Sequence, residues 1–62
     1  MTQEKLIKLE ALEQENFVYG VTSKCFAAIL RDSGFSRGEI EDFYRADHEF
    51  LNEAKLDEVF LV

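Results

Sequence analysis

Sixty-two residues carrying thirteen acids, seven bases, a formal charge of −6 and a single cysteine exclude several kinds of protein at once. A chain this short makes one domain, residues 1–62, and buries only about 60% of its unfolded surface. One Cys allows no internal disulfide, no Cys/His cluster marks a structural zinc, and the acidity leaves no basic stripe for phosphates, so direct binding to DNA, RNA or an acidic membrane is not expected.

Nothing in the sequence resembles a signal peptide. The apolar runs fall well short of the roughly 20 residues of a membrane span, so a cytoplasmic location is expected. Nearly half the residues are apolar and eight are aromatic, which argues for a fold rather than disorder. A small chain with no staple is expected to complete its core by oligomerisation, as a homodimer, or on a stable partner.

In chain order, Thr2 can cap a first helix over 3–15. Glu4 precedes Lys8 by four residues, the favourable order for a helical pair. Leu6, Ile7, Leu9 and Leu12 supply its apolar contacts. The next stretch, Asn16 to Val21, is open to three readings: a connector, a short strand, or a continuation of helix to Ala28. Phe, Val and Tyr favour strands, and Gly20 costs a helix about 1 kcal/mol relative to Ala. A strand near 17–21 would need a partner near 58–62, which gives an α+β alternative. Thr22 and Ser23 can cap a second helix over 23–32, with Phe26, Ala27, Ile29 and Leu30 as packing residues. Asp32-Ser33-Gly34 reads as the turn that ends it.

Ser36 and Glu39 then form an S-x-x-E capping box. Beyond it Ile40, Phe43, Tyr44, Phe50, Leu51, Ala54 and Val59 recur every three or four residues, a broad apolar stripe. Asp47 falls where that stripe should continue, either as a partly buried acid or as a sign that the stripe drifts toward Phe50. Arg45 lies four residues from both Glu41 and Glu49 and can build an ion-pair ladder. The expectation is therefore an all-α domain of three helices, 3–15, 23–32 and 37–60, with the long third helix as its spine. Ile40, Phe43, Tyr44, Leu51 and Ala54 should pack on Phe26, Ile29, Leu30, Leu9 and Leu12. Val59 to Val62 is too apolar for a free tail and should dock or form an interface.

Little in the chain suggests chemistry. Cys25 and His48 are a nucleophile and a base in principle, but no Gly-rich turn or orienting residue accompanies them. Asp47, His48, Glu49 and Glu53 invite a metal reading, yet the Glu-x-x-His pairing of carboxylate-bridged sites is missing because position 45 is Arg. No phosphate-binding loop is present. A non-enzymatic protein with no metal and no cofactor is expected. The outline from Phe26 to Phe50 resembles a helix-turn-helix, but its second helix would present Glu39, Glu41, Asp42 and Asp47 rather than Arg, Lys, Asn or Gln to the bases.

Charge is the more informative signal. From Ser36 onward eight acids face three bases, which accounts for −5 of the −6. A charged helix face commonly serves solvation. Charge segregated this far also suits a basic partner, and Glu41, Asp42, Asp47 and Glu49 are the candidate contacts. Ser36, Glu39-Ile40, Phe43-Tyr44, Ala46, Leu51, Glu53, Val59 and Phe60 resemble the S-x-x-E-L-x-x-F-Y-x-A segment of the Hha/YmoA family of small nucleoid-modulating proteins, over about residues 36–60. Asp47-His48 resembles that family's Asp-His pair once one residue is skipped after Ala46. The resemblance implies a small all-helical protein that binds a nucleic-acid-associated protein, with Asp47 and His48 as candidate partner contacts, which adds His48 to the four acids. The expected function is that of a small acidic regulator or inhibitor, in the manner of phage or plasmid proteins. A self-assembling subunit that uses Asn16–Val21 and Val59–Val62 is the main rival, and a metal-dependent enzyme is the lesser one.

Overall fold

The computed structural model describes residues 2–61, which form five helices and no strand. The all-α expectation holds, and the strands considered near 17–21 and 58–62 do not form among the described residues. Val62 lies outside them.

Helix α1 (Gln3–Phe17) begins where the Thr2 hydroxyl accepts the Lys5 N–H at 3.3 Å. It runs two residues past the expected end. Its backbone then closes a tight turn, with Tyr19 N–H donating to the Asn16 carbonyl and Gly20 N–H to that of Phe17, both at 3.1 Å. Gly20 has φ of 72°, a left-handed conformation that costs glycine nothing extra. That turn resolves the three-way ambiguity of Asn16–Val21. Helix α2 (Ser23–Asp32) follows, with the Thr22 hydroxyl accepting the Cys25 N–H at 3.2 Å.

The end of α2 is a Schellman motif. Phe35 N–H reaches back to the Leu30 carbonyl at 3.0 Å and Gly34 N–H to that of Arg31 at 3.1 Å, with Gly34 at φ 99°. The motif's customary apolar contact is present too, since Phe35 and Leu30 are both buried in the core. Helix α3 (Arg37–Phe43) starts with the expected capping box. Glu39 N–H donates to Ser36 Oγ at 3.1 Å, and Ser36 N–H donates to Glu39 Oε1 at 2.9 Å.

The long C-terminal helix over 37–60 is the main correction. The chain leaves the helix after Phe43, starts again as α4 (His48–Ala54), and turns once more into the short α5 (Leu56–Val59). The first break has a residue-level cause. Asp47 Oδ1 accepts the N–H of Phe50 at 3.1 Å and so caps α4. In a continuous helix the Asp47 carboxylate would lie on the buried stripe, and desolvating an unpaired charge is costly. The break leaves Asp47 exposed and puts Phe50 in the core instead. The second break is at Lys55, whose φ of 53° is left-handed. That conformation costs a non-glycine residue roughly 1–2 kcal/mol. It redirects the chain so that Leu56 and Val59 are buried.

With the third helix divided, the spine of the molecule is α2. It packs against each of the other four helices, most extensively α4. The core gathers Leu9, Phe26, Ala27, Leu30, Phe35, Ile40, Tyr44, Phe50, Ala54, Leu56 and Val59, all from one chain. Of the expected packing residues, Leu12, Ile29, Phe43 and Leu51 are only half-buried. Phe35 and Leu56, which were not among them, are buried. No helix among the described residues is long and apolar enough to cross a membrane.

Candidate functional site

The five expected contact residues do not form one face. Glu41 and Asp42 lie exposed on α3, and both have a cation beside them. Arg37 Nε is 3.4 Å from Glu41 Oε2, while its Nη2 is 2.6 Å from Asp57 Oδ1 on α5. The hydrogen bond to Asp57, with a smaller contribution from Glu41, raises the Arg37 pKa above its usual value. Arg45 Nη1 lies 3.8 Å from Asp42 Oδ1. The ladder expected from Arg45 to Glu41 and Glu49 is not made, because the helix ends before Arg45 and changes its direction.

Asp47, His48 and Glu49 begin α4, and all three are exposed. Glu49 stands in the first helical turn, where a negative charge is favoured by the helix dipole. One turn further on, Glu53 accepts a hydrogen bond from Ser23 Oγ at 3.3 Å. Asp47, Glu49 and Glu53, with Phe17, Ser23 and Phe50, line a shallow depression of about 320 Å³ between the start of α4 and the end of α1. Among the described residues no Lys, Arg or His side chain lies within ion-pair distance of these three carboxylates. The other carboxylates of the C-terminal half are compensated: Glu39 by Lys5 at 2.6 Å, Glu58 by Lys24 at 2.7 Å, and Glu41, Asp42 and Asp57 by arginines.

Packing therefore divides the expected site. Asp47 and Glu49 line the depression beside Phe17. Glu41 lines a different cleft, of about 320 Å³, together with Arg37, Lys55 and Asp57. Asp42 and His48 line neither. Sequence reasoning placed Glu53 in the metal reading but missed it as a contact, and it did not connect Phe17 with α4 at all. The available signal was local. Glu49 and Glu53 are four apart and share a helix face, but the approach of Phe17 to them depends on α2.

The floor of the depression is held from inside. Phe17 and Phe50 flank Phe26, with ring centroids 4.6 and 6.2 Å from it, and Tyr44 stacks on Phe50 at 4.1 Å. The Tyr44 hydroxyl donates to Glu13 Oε2 at 2.6 Å, which ties α1 to the α3–α4 junction. Burial, then the hydrogen bond and charge of Glu13, then the charge of Asp47 push the Tyr44 pKa far up, so the hydroxyl keeps its proton.

The arrangement suits recognition of a cation. Carboxylates with no cation beside them among the described residues attract it, and the exposed part of the Phe17 ring offers apolar surface to the stem of Lys or Arg. No group of three or more His, Cys, Asp or Glu side chains among the described residues could hold a metal ion. Cys25 is exposed on α2, and no hydrogen bond joins it to His48 among the described residues. No protein-family model, curated protein or solved structure matches this chain.

Proposed function

We propose that this protein is a small non-enzymatic regulator or inhibitor that binds another protein through the acidic surface of its C-terminal half. The observation that carries the reading is the charge of Asp47, Glu49 and Glu53, uncompensated among the described residues, around an aromatic floor. Glu41, Asp42 and His48 belong to the wider contact, with a smaller share because Arg37 and Arg45 offset the two acids. The partner is basic or nucleic-acid-associated, which agrees with the likeness of residues 36–60 to the Hha/YmoA family. Charge complementarity of this kind acts mainly on specificity and association rate, and it weakens as salt rises.

The test is capture of tagged protein's partners from host lysate at low and high salt, read by mass spectrometry, in parallel with two charge reversals. The expected result is a basic partner retained at low salt and lost at high salt. The Glu49→Lys/Glu53→Lys variant should lose at least about tenfold of it, and Glu41→Lys/Asp42→Lys less. Unchanged capture by both variants would refute the acidic-surface reading.

One observation favours a second reading, a self-assembling subunit. Phe17, Val18, Tyr19 and Leu61 are large apolar residues left exposed. That reading expects an oligomer in light scattering whose stability is insensitive to salt.

A further inference from the structure

We propose that the Phe17–Val18–Tyr19 turn, with the carboxylates beside it, docks a basic segment of another protein whose Lys or Arg residues alternate with apolar ones. The inference rests on the acidic-surface reading and names the chemistry of the partner segment.

The turn is an unusual surface. Three consecutive large apolar residues are 44%, 78% and 86% exposed. Large apolar residues exposed side by side mark an interaction surface more often than ones scattered singly. It is also well formed. The two backbone hydrogen bonds across Asn16–Gly20, the left-handed Gly20 and the Thr22 cap of α2 fix its ends. Asn16 Nδ2 donates to the Leu12 carbonyl at 2.8 Å and fastens the turn to α1. A platform ordered before binding loses little conformational entropy on binding.

Phe17 joins the platform to the acidic depression. Its ring rests on Phe26 at 4.6 Å, and its exposed part lines the depression with Asp47, Glu49 and Glu53. An arginine or lysine stem can lie along Phe17 with its charge at the carboxylates, while a neighbouring apolar side chain covers Val18 and Tyr19. Charge decides against a second copy as the occupant. A two-fold contact repeats one patch against itself. It would bring these carboxylates toward their own counterparts in a chain already at −6, and like charges brought together oppose association. Nucleic acid is opposed by the same field.

The test is an NMR titration of the ¹⁵N-labelled full chain at low salt with three synthetic peptides of equal length. One alternates Arg and Leu in a soluble, capped sequence. The second replaces its leucines by serine, and the third replaces its arginines by glutamine. The expected result is that the first shifts the amide signals of Phe17 to Gly20 together with those of Asp47, Glu49 and Glu53. It should bind about tenfold more tightly than the second, and the third should not bind. The Val18→Ser/Tyr19→Ser variant should remove the tenfold advantage and leave affinity for the second peptide unchanged. Its melting temperature should stay at the parent value because both side chains are exposed.

Equal affinity for the first two peptides would overturn the docking proposal and leave the acidic-surface reading standing. Failure of all three to bind would overturn both. Self-association in analytical ultracentrifugation that the Val18→Ser/Tyr19→Ser variant abolishes would assign the turn to a second copy and overturn the proposal.

Discussion

Phe26 is the side chain on which most of the molecule depends. It is fully buried, lies between the rings of Phe17 and Phe50, and belongs to α2, which packs against each of the other four helices. Truncating a buried phenylalanine removes its transfer free energy and leaves a cavity, together about 3–5 kcal/mol. In a domain of this size that is a large part of total stability, so Phe26→Ala should be largely unfolded at 25 °C by far-UV circular dichroism. Phe43 gives the contrast. Periodicity assigns it to the same core, but it is half-buried and edge-on to Tyr44 at 5.1 Å. Phe43→Ala should cost only about 1–2 kcal/mol and keep a cooperative melt. Similar melting curves for the two variants would contradict this assignment of the core. The difference between them was not legible in the sequence. The break after Phe43 rotates the residues that follow, and a stripe drawn through positions 40–59 assumes that no break occurs.

At the scale of the element, the α3–α4 junction depends on Asp47, which has two separable roles. Its carboxylate caps α4, and its charge faces the depression. Asparagine caps a helix about as well as aspartate, whereas alanine loses about 0.5–2 kcal/mol. Asp47→Ala should therefore lower the melting temperature, by roughly 4–8 °C for each kcal/mol lost. Asp47→Asn should leave it near the parent value and lower only the affinity for a basic peptide. Thermal melts and one binding titration decide the matter, and equal melting of the two variants would remove Asp47 as the cause of the break. The other caps were readable in advance. Thr2, Thr22 and the Ser36/Glu39 box each act within three residues, so sequence spacing is enough to find them. Asp47 also acts within three residues, but an acid inside an apolar stripe reads equally as a buried charge or as a cap, and only packing chooses between them.

For the whole molecule, ion pairs distant in sequence hold the layers together. Glu39 carries the capping box and also receives both contacts from Lys5 on α1, at 2.6 and 2.8 Å. Lys5 in turn donates to the Gly34 carbonyl at 3.1 Å and lies over the Phe35 ring. The Lys5 hydrogen bond first, and the Ser36 N–H second, hold the Glu39 pKa below its usual 4.5. Lys24 lowers that of Glu58 in the same way. A carboxylate with a lowered folded pKa stabilises the fold above its unfolded value, and that stabilisation is lost as the pH falls through the folded one. Stability should accordingly be flat at neutral pH and decline below about 4.5. Glu39→Gln should be less stable than the parent at pH 7 and decline less steeply in acid. Parallel acid slopes in urea melts across that range would show that Glu39 does not contribute.

The sequence by itself favoured the helical class over an α+β alternative and determined the starts of the first three helices and the sign of the surface. Caps, apolar periodicity and net charge are local or additive quantities, readable within a few residues or by counting. Only the tertiary structure decided that the last helix is broken twice, that α2 is the centre, and which acids keep a free charge. Lys5 reaches Glu39 and Lys24 reaches Glu58 across 34 residues each. Among the described residues Asp47, Glu49 and Glu53 are left uncompensated, while Lys5, Lys24, Arg31 and Arg37 are engaged elsewhere by the packing of α1, α2 and α5. A carboxylate's partner is fixed by which helices meet, so the candidate site emerged only once those helices were in place.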